Sequence, residues 1–137
     1  MIENISWNNQ TLAYIITADT SIEKTTFITP PEFKQQVGFV VYPAGGEIGP
    51  HIHLPIERHI IGTSEVLMLR KGRCLVNFYN DQREPVAIRE LKTGDVLILV
   101  AGGHGFCMLE DTTFIEIKQG PYAGQDDKER FHYDISQ

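Results

Sequence analysis

His51 and His53 stand one residue apart, Glu65 follows, and His104 lies much further along the chain. Three imidazoles and one carboxylate suit a divalent metal such as iron, manganese, nickel or zinc, held with coordination positions left open. In a strand, residues i and i+2 send their side chains to one face, so the rings of His51 and His53 are expected side by side. To bring His104 to them, the sheet must close or fold back on itself. An open-coordinated metal in an apolar pocket can act as a Lewis acid on a carbonyl, activate water or bind dioxygen. No cysteine or serine nucleophile is paired with a base, so covalent catalysis finds little support.

The elements that must position these groups read as strands. Short runs rich in Val, Ile, Leu, Phe and Tyr occupy residues 12–17, 38–42, 66–70, 74–79, 86–91, 95–100 and 113–118. Turn residues separate them, among them Asn8-Asn9, Lys71-Gly72, Asn80-Asp81, Thr93-Gly94 and Gly102-Gly103. Strands at this spacing, without helical periods between them, predict an all-β sandwich or barrel. Residues 31–36, behind Pro30-Pro31, are expected to make a helical turn, and residues 130–137 a polar tail.

Alternation then assigns faces. If Glu65 points inward, so do Leu67 and Leu69, while Val66, Met68 and Arg70 face outward. By the same parity Phe106 and Met108 accompany His104 and are candidate substrate-binding residues in an apolar wall. Val66 and Met68 are apolar too, so the outer face is expected to be covered by a second copy, making a homodimer. Parity also puts Glu116 on one face with Phe114 and Lys118, either as an exposed ion pair or with one of them lining the cavity. Tyr79, Tyr122 and Tyr133 are amphipathic enough to line a mouth. The charge run at residues 125–130 reads as a solvated loop.

At 137 residues, with 42% hydrophobic and 22% charged residues, the chain is long enough to build one hydrophobic core. A net charge of -6 argues against nucleic acid as the main partner. Cys74 and Cys107 have no metal-knuckle or redox spacing and read as reduced thiols. No apolar run is long enough to span a bilayer, and the N-terminal residues lack a basic and apolar leader pattern. The expected location is the cytoplasm, away from membranes.

Two motifs carry a family resemblance. Gly45-x5-His51-x-His53 with Glu65-x6-Gly72 resembles the first cupin motif, and Gly94-x5-Val100-x-Gly102-x-His104 resembles the second. The resemblance implies an all-β double-stranded β-helix, the cupin jelly-roll barrel, with a metal near one mouth. It implies a single domain over residues 1–137, with the barrel at about 39–117, an N-terminal strand extension at 1–37 and a C-terminal tail at 119–137. The implied ligands of one divalent metal per chain are His51, His53, Glu65 and His104. Three features depart from the family pattern. Eleven residues (54–64) separate His53 from Glu65, where the family has a shorter spacer. Val100 replaces a proline, and Gly102 and His104 are one residue closer together. The long spacer predicts a loop over the mouth, carrying His59 and Glu57 as candidate acid–base groups and Arg58 as a clamp for an anionic substrate group.

The expected function is that of a small metal-dependent enzyme, of isomerase, epimerase or oxygenase type. Its ligand would be a small molecule, sugar-like or a keto acid, with a carbonyl or adjacent hydroxyls. A non-catalytic sensor or carrier is the alternative. A metal-free epimerase acting on nucleotide sugars ranks third, because none of the four ligand positions has been replaced.

Overall fold

A computed structural model describes residues 1–132. Tyr133, expected at the mouth, and the end of the polar tail lie outside the described residues. Ten strands run in order: β1 (Ile2–Trp7), β2 (Gln10–Ile16), β3 (Thr26–Phe27), β4 (Gly38–Phe39), β5 (Glu65–Lys71), β6 (Arg73–Tyr79), β7 (Pro85–Lys92), β8 (Val96–Leu99), β9 (Gly103–Met108) and β10 (Thr113–Lys118). A 3-10 turn at Gly124–Asp127 follows, and the described residues contain no α-helix. None of their helices is long and apolar enough to cross a membrane. The all-β expectation is met by three antiparallel sheets, none of them closed.

The chain forms two compact units, Ser21–Gly62 and a larger one built from Met1–Thr20 and the residues from Thr63 onward. In the larger unit, a five-stranded sheet of order β1-β2-β8-β5-β10 and a three-stranded sheet of order β7-β6-β9 share one apolar core. The first sheet supplies Ile5, Ala13, Ile15, Leu67, Leu69, Leu97 and Leu99, and the second Cys74, Val76, Phe78 and Leu91. This arrangement is compatible with a β-sandwich. Leu67 and Leu69 face the core as parity predicts, and Val66 is buried on the opposite face. At one margin Glu3 reaches across to Arg89, whose Nη2 donates to the carboxylate at 2.8 Å.

Three strands, β1, β9 and the two-residue β3, escaped the sequence reading, the first two for different reasons. β1 carries Asn4 and Ser6 among its apolar residues, and it forms because Asn8 and Asn9 take positive φ of 51° and 63°, the twist that closes a tight hairpin. β9 contains Gly103 and Gly105, which weaken any local strand preference. Pairing along β6, from Cys74↔Met108 to Tyr79↔Gly103, holds it extended.

The smaller unit holds the hairpin β3–β4 and little else that is regular. Strand structure ends at Phe39 rather than at residue 42, and residues 40–62 form none. Pro43, Pro50 and Pro55 each remove a backbone donor, and Gly45, Gly46 and Gly49 favour turns. Residues 31–35 make turns and bends, not a helix. There the Gln36 amide donates to the carbonyls of Pro30 and Phe33, at 2.9 and 2.8 Å, competing for groups a helix would use.

Asp95 ties the larger unit together at the turn before β8. Its buried carboxylate accepts from the Ala18 and Lys92 amides, each at 2.8 Å, and so joins the end of β2 to the β7–β8 turn. Asp95→Ala would leave both donors unpaired and is expected to cost about 2–4 kcal/mol of stability. Urea denaturation of wild type and variant checks this, and Asp95→Asn should recover part of the loss.

Candidate functional site

In the larger unit the apolar interior gives way at one end to charged groups. Cross-strand register puts Ala13, Leu99, Glu65 and Lys118 in one row across β2, β8, β5 and β10, and Ile15, Leu97, Leu67 and Glu116 in the next. Side chains opposite each other in a ladder share a face, so Glu65, Glu116 and Lys118 extend the core face where it opens. On the facing sheet, β9 brings His104 and Phe106 to the same space. The ring of Phe106 lies 5.9 Å from His104 and 5.4 Å from Phe114.

These residues line a cavity of about 740 Å³, within the roughly 300–1,000 Å³ usual for small-molecule sites. Glu65, His104, Phe106 and Glu116 form part of its wall, together with Tyr79 and residues 127–132. The C-terminal segment is held there by ring contacts, an ion pair and a hydrogen bond. Phe131 meets Tyr79 edge-on at 5.0 Å, Arg83 lies 5.4 Å over the Phe131 ring, and Arg83 pairs with Glu129 at 2.8 Å. The Thr63 hydroxyl donates to Asp127.

The electrostatics follow from burial and like charge. Partial burial, then a hydrogen bond and charge repulsion from Glu116, push the Glu65 carboxyl up to about 7, against an opposing pull from Lys118 and Lys128. Burial lowers the His104 imidazole below its ordinary value, with Glu116 opposing and Lys128 reinforcing the shift. Near neutral pH the cavity therefore presents an unprotonated His104 imidazole and a Glu65 carboxyl that retains part of its proton. A cation could replace that proton.

The other sequence candidates lie in the smaller unit. His51 and His53 are exposed in irregular chain rather than on a strand. Their rings are nonetheless neighbours, with centroids 5.2 Å apart at 69°. His51 Nδ1 donates to the Gly49 carbonyl at 2.8 Å, which leaves Nε2 as the free lone pair, the arrangement of an imidazole prepared to ligate a metal. Glu57, Arg58 and His59 are exposed in the same irregular stretch. Among the described residues, no three His, Cys, Asp or Glu side chains are gathered closely enough to hold a metal ion.

Phe106 is a cavity wall residue, as parity predicts. Met108, of the same parity, lies past it toward the far end of β9 and is 50% exposed, away from the cavity. Tyr79 lines the cavity, whereas Tyr122 is exposed and does not. Lys128, Glu129 and Arg130 are exposed, as expected of a solvated charge run, but that they border the cavity with Asp127, Phe131 and His132 was not legible. The one local signal was Phe131, an aromatic residue directly after the charges. No family model, curated protein or solved structure matches the chain.

Proposed function

We propose that the chain is a metal-binding cupin of the jelly-roll type, acting as a small isomerase- or epimerase-type enzyme on a sugar-like or keto-acid molecule. The carrying observation is the cavity in which Glu65, Glu116 and His104 meet at the open end of an apolar core. Proton transfer next to a carbonyl needs an acid–base group beside the metal; Glu116, a wall carboxyl outside the proposed ligand set, offers one, and this favours isomerisation over oxygen chemistry.

His51, His53, Glu65 and His104 are the proposed holders of one divalent metal, on the strength of the two motifs. The donor chemistry fits: His51 has its second ring nitrogen already committed to Gly49, and burial beside Glu116 pushes Glu65 toward its protonated form, which a cation would replace. Such an ion, when bound, supplies Lewis-acid polarisation of a carbonyl or of adjacent hydroxyls. Glu116, outside the proposed ligand set, is the second carboxyl of the cavity wall within reach of a substrate. Lys128 and Arg130 supply positive charge for an anionic substrate group, and Phe106 excludes water from one side.

Elemental mass spectrometry on protein purified without chelator or nickel resin tests the reading. Near one equivalent of iron, manganese, nickel or zinc per chain is expected in wild type. His51→Ala and His104→Ala should each lower it at least about tenfold, the usual scale for loss of a ligand or its support. A wild-type protein that takes up no metal, even when dialysed against each ion, would overturn the metal assignment.

A further inference from the structure

β10 is the last strand of the five-stranded sheet, so one of its edges has no neighbour among the described residues. An uncovered edge is a template for another strand. Its outward face bears Ile115 and Ile117, 37% and 49% exposed, in register with Met68 and Val66 of β5. Its inward face bears Glu116 and Lys118, both exposed.

The backbone directions follow from one hydrogen bond. The Gln119 amide donates to the Ser64 carbonyl of the β5 side at 3.1 Å. Alternation along an antiparallel strand then turns the backbone groups of residues 115, 117 and 119 toward β5, and those of Phe114, Glu116 and Lys118 toward the open side.

We propose that this edge pairs antiparallel with the same edge of a second copy, with Ile117 on the twofold axis. Only that register puts Glu116 of each copy opposite Lys118 of the other. An axis through Glu116 sets two carboxylates face to face, and one through Lys118 sets two ammonium groups face to face. An axis through Ile115 puts Glu116 against Phe114. Directly opposed like charges destabilise a ladder and opposite charges stabilise it, so the inward charges that guard the edge against other registers select this one. Glu116 and Lys118 of the two copies then exchange backbone hydrogen bonds, and Ile115 and Ile117 of both copies form one apolar strip. A symmetric pairing of this kind closes as a dimer and occupies the β10 edge of both copies. Because Glu116 lines the cavity, Lys118 of the second copy arrives at its lip as an added cation.

Sedimentation velocity on the full chain tests the interface. Wild type should sediment as a dimer. Glu116→Lys and Lys118→Glu should each raise the dimer dissociation constant about tenfold or more, and the double exchange E116K/K118E should return it to near the wild-type value. A cysteine at the axis provides a second reading. Across such a pair the Cα atoms lie about 4.5 Å apart, within the disulfide range of about 4.4–6.8 Å. In a Cys107→Ser background, I117C should therefore form a disulfide-linked dimer on oxidation. I115C should not, because its two copies would stand four residues out of register, about 13 Å apart. A monomeric wild type, a double exchange as weak as the single variants, or equal linking of I115C and I117C would each overturn the proposal.

Discussion

Gly102→Ala is expected to lower the unfolding free energy by about 2–6 kcal/mol, combining left-handed strain with overpacking. Gly102 has φ of +71°, and a Cβ there would lie 2.3 Å from the Tyr79 carbonyl oxygen and 3.1 Å from Leu12 Cδ2. The backbone has little room to retreat. The Val100 and Ala101 amides both donate to the Leu12 carbonyl, at 2.8 and 3.2 Å, while Gly103 is paired with Tyr79. His104 follows two residues later, so relief of the clash must come partly from moving the imidazole out of the cavity wall. Urea denaturation should show the loss, and the His104 ring resonances should shift in the folded variant. Gly105→Ala is the matched control, because a Cβ there meets nothing within 4 Å and its φ is not positive. It should change stability by less than about 1 kcal/mol. Equal effects at the two positions would refute the argument from close approach.

Removing the Glu65 charge is expected to flatten the pH dependence of stability between about pH 5 and 8. The ordinary value of this carboxyl is 4.5, and in the folded protein it stands at about 7. The folded state therefore binds more protons than the unfolded state within that window, and stability falls as pH rises. The contribution is fully present below 4.5 and is lost as pH passes through 7. Two and a half pKa units correspond to about 3 kcal/mol at most, and solvent screening of a half-buried group reduces this to about 1–2 kcal/mol. In chelator-treated protein, thermal or urea unfolding of wild type should lose that much relative to Glu65→Gln between pH 5 and 8. With a divalent ion that Glu65 helps to hold, the trend should reverse, because protons and cation compete for one carboxylate. Parallel wild-type and variant curves in chelator would show that Glu65 does not titrate in this window.

Much of the fold was legible because its strands are locally consistent. The runs in β2, β5, β6, β7, β8 and β10 combine β-branched or aromatic residues with turn punctuation, and each forms a strand with small shifts at its ends. Parity alone was enough to put Glu65 with Leu67 and Leu69, and Phe106 with His104. His51 and His53 mark the limit of that rule. Alternation specifies a face only for a chain that is in a strand, and three prolines with neighbouring glycines keep residues 40–62 out of one. Ile52, at 85% exposure, has no core side to choose.

By itself, then, the sequence determined the all-β class, the order of most strands and the identity of the candidate donors, since these depend on composition, period and turn chemistry within a few residues. Tertiary structure alone decided that Glu116 stands beside Glu65, that Lys128 and Phe131 form a cavity wall, and that β9 is a strand despite its glycines. Cross-strand register and sheet order are pairings between distant segments, and whether a charge is solvated or enclosed depends on what packs over it. A carboxyl raised to about 7 cannot be read from Glu65 and its neighbours in the chain. It arises because burial disfavours the charged form and because an antiparallel register sets a second carboxylate at the end of the same apolar face.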